Sequence, residues 1–333
     1  MTMNRFPALV QGFFLERLMT QRNASPATVS AYRDTFRLLL RYLADQQQCP
    51  AAAVTMDMLN ADTILAFLDD LEVRRQNSIK TRNHRLAAIH SFMDYVSFQA
   101  PEYLELVQRV KQIPFKKAAT RVVSYLVPTE MDALLGVCAV DTWLGRRDRL
   151  MLTLLYNTGM RVSELTGLTR ASVILTPSGV RTVRIWGKGR KERVLPLWQS
   201  TQGYLTDWLR EQGESGDPHV FTNRRGQPLT RSGVMARLQW LAQAATPRCP
   251  SVADKRVTPH VIRHTTAMHL LQSGIDLSTI AIWLGHESIE TTHKYMVADL
   301  QLKERALAKT ASPQVPSGRY QPSDDILAFL AGL

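Results

Sequence analysis

Cysteine is scarce in this chain of 333 residues: Cys49, Cys138 and Cys249 are the whole complement, and they stand far apart. Neither a disulfide framework nor a CxxC metal knuckle can be assembled from them, so reduced, packed thiols are expected. Long apolar runs are missing too, since nothing approaches the roughly 18 uninterrupted apolar residues of a membrane span. The N-terminal MTMNRFPALVQGFF carries one early Arg, a Pro and no small-residue cleavage pattern, so it does not read as an export signal. A soluble protein of the cytoplasm, with no membrane partner, is expected. Acidic residues are in deficit, 29 Asp and Glu against 41 Lys and Arg, which leaves a net charge of +12. Such an excess of positive charge points to a polyanionic partner, with nucleic acid first among the candidates.

What is present is enough for a folded protein. The chain is 45% hydrophobic and 21% charged, which supports a sizeable core, excludes disorder, and at this length suits two domains. Residues 1–118 hold 15 basic and 11 acidic side chains and the remainder 26 and 18, for nets of +4 and +8. Two basic lobes suit a clamp around a duplex, whereas a single basic tail would suit an accessory anchor.

Helical periodicity dominates the first part. Ser25-Pro26 supplies a capping hydroxyl and a first-turn proline, after which Val29, Tyr32, Phe36, Leu39, Leu40 and Leu43 recur at three and four. Leu59, Ile64, Phe67, Leu68 and Leu71 mark a second helix, and Ile79, Leu86, Ile89, Phe92, Met93 and Val96 a third. A short leading helix near residues 6–20 completes a small bundle. The third helix carries Lys80, Arg82, His84 and Arg85 in its opening turns, where cations oppose the helix dipole and an external anion would compensate them. The residues 111–125 contain Pro114, basic side chains and no sustained period, and read as an interdomain linker.

Beyond the linker, residues 126–310 form a second, mixed domain. Helical patterns resume at Thr129, and the run DRLMLTLLYNTG ends at Gly159, a natural C-terminal cap. VRTVRIWGKGRKERVLPL reads as two short strands around Gly187-Lys188-Gly189. The fold class is therefore mainly α with a small β-sheet. Residues 311–333 hold Pro313, Pro316, Gly318 and Pro322 before DDILAFLAGL, a tethered amphipathic helix suited to docking on its own core or on a neighbouring subunit.

Five of the eight histidines, His260, His264, His269, His286 and His293, fall within 34 residues. Thr258-Pro259 starts a helix there, which puts His260 in its first turn and Arg263 on the same face, where a phosphate would bind well. A second helix ends at Gly285, so His286 lies in the turn, and Tyr295 can fold back toward His260. Arg161 follows Gly159 at another helix start, and Lys188 sits at the hairpin tip. This set contains no carboxylate cluster suited to Mg²⁺. Its chemical logic is phosphodiester transfer. Two guanidiniums neutralise the non-bridging oxygens as charge builds, a lysine protonates the leaving 5′ oxygen, and a histidine handles the proton of a tyrosine nucleophile. Attack would leave a 3′-phosphotyrosyl enzyme whose bond energy is retained for rejoining.

The motifs TGMRVSELTGL, GKGRKERVLPL, HVIRHTTAMHLL, LGHESIETTHKY and KTRNHRLAAIHSF resemble those of the tyrosine recombinases, in particular the phage integrase and Xer-like branch. The resemblance spans nearly the whole chain, with the motifs in order. It maps the family's catalytic series onto Arg161, Lys188, His260, Arg263, His286 and Tyr295. It implies a helical, SAM-like core-binding domain over residues 1–110 and a catalytic domain that close as a clamp on double-stranded DNA. It also implies a homo-tetramer, or a hetero-tetramer with a related recombinase, working through a Holliday junction. The implied activity is site-specific recombination by the integrase or transposase of a mobile element, with Xer-like dimer resolution as the alternative. No cofactor and no metal are implied. Outside the catalytic series, Lys80, Arg82, Arg85, Arg190, Lys191 and Arg193 are expected to meet DNA phosphates. Glu164, three residues after Arg161, is expected to orient the site's cations. His264, His269 and His293 are expected to pack or cap.

Two readings compete. His260 and His264 are four apart on a helix, as zinc pairs are, so a metal-dependent nuclease is one. It lacks the HExxH glutamate and gives Arg161, Arg263 and Tyr295 no task. The other is a catalytically silent DNA-binding protein on the same fold.

Overall fold

A computed structural model describes residues 5–118, 123–175, 181–187, 192–213, 218–286, 291, 292 and 295. The C-terminal segment 311–333, the hairpin-tip residues Lys188, Arg190 and Lys191, and His293 lie outside these described residues. The chain divides into two compact units, Met1–Arg121 and Val122–Leu333. Among the described residues no helix is long and apolar enough to cross a membrane.

The first unit is all helical. α1 (Phe6–Gly12) runs on through wider π-type turns to Gln21, followed by α2 (Pro26–Gln47), α3 (Ala61–Val73), α4 (Ile79–Gln99) and α5 (Leu104–Lys111). Local chemistry sets the starts. The side chains of Ser25, Asn60 and Ser78 accept from the backbone amides of Thr28, Thr63 and Thr81, satisfying amides that the first turn leaves unpaired. Phe13, Phe36 and Phe92 form the centre of the core, with ring centroids 5.1–6.0 Å apart. α4 buries the expected Leu86, Ile89, Phe92, Met93 and Val96, but it also buries Arg82, which is 2% exposed.

That placement differs from the phosphate-facing one expected of Arg82. Its Nη1 donates to the carbonyl of Pro114 at 3.0 Å, and its Nε lies 3.6 Å from Glu72 on α3. Asn83 completes the tie by donating to the Lys116 carbonyl and accepting from the Lys116 amide. Lys116 closes onto Glu72 at 2.7 Å. Arg82 thus fastens the chain after α5 to α3 and α4. Lys80 and His84 remain exposed on the same helix, and Arg85 is half-buried.

The second unit contains α6 (Pro128–Gly136), α7 (Trp143–Thr158), α8 (Val162–Thr166), β1 (Val173–Leu175), β2 (Arg181–Trp186), β3 (Glu192–Pro196), α9 (Gln199–Glu211), α10 (Arg231–Ala245), α11 (Pro259–Gln272) and α12 (Leu277–Leu284). The strands form an antiparallel sheet in the order β1-β2-β3. β2 and β3 are the expected arms of the hairpin, in a register pairing Val183 with Leu195 and Ile185 with Arg193. β1 was not expected, because three residues are too few to show an alternating pattern. α7 is the spine of this unit. Leu150, Met151, Leu152, Leu154 and Leu155 are all buried on it, since α9 and α11 both pack against it. It ends where Gly159 takes a left-handed conformation, φ +60°, and its amide bonds to Leu155.

Candidate active site

Three helix boundaries build the site: the left-handed turn at Gly159, the start of α11, and the left-handed turn at Gly285 after α12. Arg161 sits two residues past the first, at the cap position of α8. Glu164, in the first turn of α8, accepts from the Arg161 amide at 2.7 Å and from its guanidinium at 2.9 Å. The same carboxylate takes two bonds from Arg193 of β3, at 2.7 and 3.1 Å. Burial raises the Glu164 pKa, but bonds and charge from Arg193 and then Arg161 outweigh it, so the group is held below the usual carboxylate range. The expectation that Glu164 orients nearby cations matches this geometry.

Arg193 itself departs from expectation. Its side chain is 9% exposed and turned onto Glu164, because Ile185 and Arg193 are register partners and this face of the strand points toward α8. It organises the site from behind and leaves no open face for a phosphate.

Arg263, on the first turns of α11, is 4% exposed. Its guanidinium donates to the carbonyls of Gly159 at 2.6 Å and Leu284 at 2.7 Å. Both carbonyls belong to helix C-termini, where the dipole favours a cation. Arg161 reaches the adjoining Gly285 carbonyl at 3.1 Å. The two arginines are therefore hung on neighbouring carbonyls of one turn. Gly285 has φ +65°, which favours glycine, and a Cβ there would lie 3.0 Å from Arg193 Nη1, so the Arg193 side chain would have to shift. Burial first, and then the neighbouring Arg161 charge, depress the Arg263 pKa to about 10. Arg161 and Arg193 bond Glu164, while Arg263 is held by carbonyls and feels that carboxylate only through its charge, so three guanidiniums against one carboxylate leave a positive field for an anion.

Tyr295 is wholly buried against Ala267, Met268, Leu271, Ile280 and Leu284. Its hydroxyl shares a 2.8 Å hydrogen bond with Nδ1 of His264. Burial pushes the phenol pKa up to about 12, against the lowering pull of the Arg263 charge. The His286 ring lies nearly parallel to Tyr295, with centroids 6.4 Å apart, and its Nδ1 shares a 2.8 Å bond with Thr292. His260, exposed in the first turn of α11, packs its ring on His264 at 4.1 Å between centroids.

The structure thus gathers Arg161, His260, Arg263, His286 and Tyr295, five of the six residues expected to carry the chemistry; Lys188 lies outside the described residues. His269 packs as expected, sharing a 2.6 Å bond with the Tyr156 hydroxyl. His264 does more than pack. The signal available in the sequence was its spacing of four from His260, which puts both rings on one helix face.

Comparison with known proteins gives the class to which this site belongs. Residues 124–301 match the family described as phage integrase, and residues 12–97 match the phage integrase N-terminal SAM-like domain. The chain is 45% identical over 325 residues to y4rC of Sinorhizobium fredii, which is named as an integrase/recombinase, covering 98% of this chain and 97% of that one. It is 33% identical over 288 residues to tyrosine recombinase XerD of Halalkalibacterium halodurans, covering 85% and 90%. Its fold is like that of the Tn1549 transposon integrase solved with transposon right-end DNA, with a TM-score of 0.68, 17% identity and coverage of 90% and 98%. The chain belongs to the phage integrase family of tyrosine recombinases.

Proposed function

We propose that this chain is a site-specific DNA recombinase, the integrase or transposase of a mobile element, and that Tyr295 is its nucleophile. The observation that carries the reading is the mounting of Arg161 and Arg263 on the single Leu284–Gly285 turn, with Tyr295 packed against Leu284. A scissile phosphate bridged by these two guanidiniums would have its non-bridging oxygens neutralised by rigidly held donors. The phenolic oxygen attacks phosphorus, the bond to the 5′ oxygen breaks, and the 3′ end stays on the enzyme as a phosphotyrosyl ester. Lys188 protonates the leaving oxygen, and His260 and His286 hydrogen-bond the phosphate. A 5′ hydroxyl from another duplex then reverses the step, and two such exchanges pass through a Holliday junction. Transesterification conserves the bond energy, so neither nucleotide nor metal is required for the chemistry.

In this reading residues 1–110 bind the core DNA site, 126–310 carry catalysis, and a tetramer assembles on double-stranded DNA in the cytoplasm, at the nucleoid. The near full-length match to y4rC, 45% identical and named as an integrase/recombinase, supports the integrase reading.

The test incubates the chain with duplex DNA from its own locus in EDTA, quenches with detergent, and compares wild type with Tyr295→Phe. A covalent adduct with wild type alone is expected, and sequencing its ends locates the site. Cleavage that appears only on adding a divalent metal would establish the nuclease reading instead. DNA binding without an adduct under either condition would establish a silent binder.

A further inference from the structure

A buried phenol with a raised pKa is a poor nucleophile unless something takes its proton in step with attack. Three histidines stand near Tyr295, and their geometry separates them. His286 presents its ring nearly parallel to the tyrosine ring, 15° between planes with centroids 6.4 Å apart, and its Nδ1 is bonded to Thr292. His260 is one ring further out, packed on His264 and exposed. His264 has a ring nitrogen at hydrogen-bond distance of the Tyr295 oxygen, 2.8 Å, and its ring meets the tyrosine edge-on with centroids 5.4 Å apart.

We propose that His264 is a catalytic residue that receives the Tyr295 proton during strand cleavage and returns it during rejoining. This rests on the recombinase reading above. The step starts from the tautomer of His264 with its hydrogen on Nε2, so that Nδ1 accepts from the phenol. As the oxygen lone pair forms the bond to phosphorus, the phenolic proton passes to Nδ1. The phosphorus–5′ oxygen bond breaks with its electron pair on oxygen, which is protonated from the leaving-group side. In rejoining, the departing phenolate recovers its proton from the imidazolium.

The surrounding charges make the step conditional on DNA. Arg263 precedes His264 on α11, Arg161 lies beyond it, and His260 touches the His264 ring. A positive charge on His264 is opposed by the two arginines until a phosphate bridges and neutralises them. Proton transfer, and with it nucleophile activation, is thereby coupled to seating of the scissile phosphate.

The test places either natural tyrosine or 2,3,5-trifluorotyrosine, a far more acidic phenol, at position 295. Adduct formation is timed on the duplex captured with wild type, with His264 or with His264→Gln. With the natural phenol, His264→Gln should slow the adduct by about 100-fold or more. With the acidic phenol, which needs no proton acceptor, the loss should shrink to within a factor of about three. An equal loss with both phenols would mean that His264 merely holds the ring in place, and would overturn the proposal, as would no loss at all. Because each comparison is made within one variant, a partial folding defect cancels, and His264→Asn repeats it with a shorter amide. Failure of the wild-type chain to form any adduct would sink the recombinase reading and this step with it. Normal wild-type adduct with phenol-independent loss would sink the step alone.

Discussion

Arg193 of β3 and Glu164 of α8 meet in a two-pronged ion pair, at 2.7 and 3.1 Å, with both side chains nearly removed from solvent. The same carboxylate holds Arg161. Replacing it with Ala strands the Arg193 charge in the interior and frees the Arg161 fork. Glu164→Ala should therefore cost about 3–5 kcal/mol of stability, read from urea unfolding. Glu164→Gln should retain more stability yet lower the rate of adduct formation, since one neutral amide oxygen cannot hold both forks. A Gln variant with wild-type adduct kinetics would show that Glu164 has no part in positioning.

The two arginines differ in what else they do. Arg161→Ala and Arg263→Ala should each lose about 3 kcal/mol of transition-state stabilisation, a factor of about 100 or more in cleavage rate. Arg263 is buried and ties the ends of α7 and α12 together, whereas about a third of the Arg161 side chain is exposed. Only Arg263→Ala should also lower the melting temperature markedly. Parallel kinetics with unequal melting is the expected pattern, and equal melting would argue against the tie.

On α4, Lys80 and Arg82 are two residues apart but face opposite fates. Lys80 is exposed, and Lys80→Ala should weaken DNA binding with little regard to sequence and reduce the slope of log affinity against log salt by about one. Arg82→Ala should instead cost about 2 kcal/mol of stability in the first unit. Binding isotherms at several salt concentrations, beside melting curves, separate the two effects. A wholly salt-independent affinity would refute electrostatic binding altogether.

Tyr295 sets an alkaline limit. Its phenol pKa is raised from 10.0 to about 12 in the folded chain, so folding favours the protonated form. The resulting stability is full below the unfolded value and is lost as pH rises through the folded one. Between about pH 10 and about pH 12, wild type should lose more stability than Tyr295→Phe, which has no such proton to release. Identical pH profiles for the two would mean that burial does not hold the phenol neutral.

Much of this was written locally. Ser25-Pro26, Thr258-Pro259, Gly159 and Gly285 mark helix ends because capping hydroxyls, first-turn prolines and left-handed glycines act within one turn of chain. The arms of the β2–β3 hairpin followed from β-branched residues around a glycine turn, and the three-residue β1 left no period to read. The order of Arg161, His260, Arg263, His286 and Tyr295 was likewise visible, and the first four stand close to helix ends whose chemistry is local.

Tertiary structure decided which way the long polar side chains turn. A helical period says which face Arg82 occupies, but not that Pro114 and Glu72 would approach to claim its guanidinium. A strand pattern likewise does not say that Glu164 would draw Arg193 inward. His264 shares a helix face with His260, and its bond to Tyr295 exists only because the chain returns past α12 to the same place. Contacts between residues tens of positions apart depend on how whole elements close against one another. Composition and periodicity carry no record of that closure, so the partner of His264 became legible only in three dimensions.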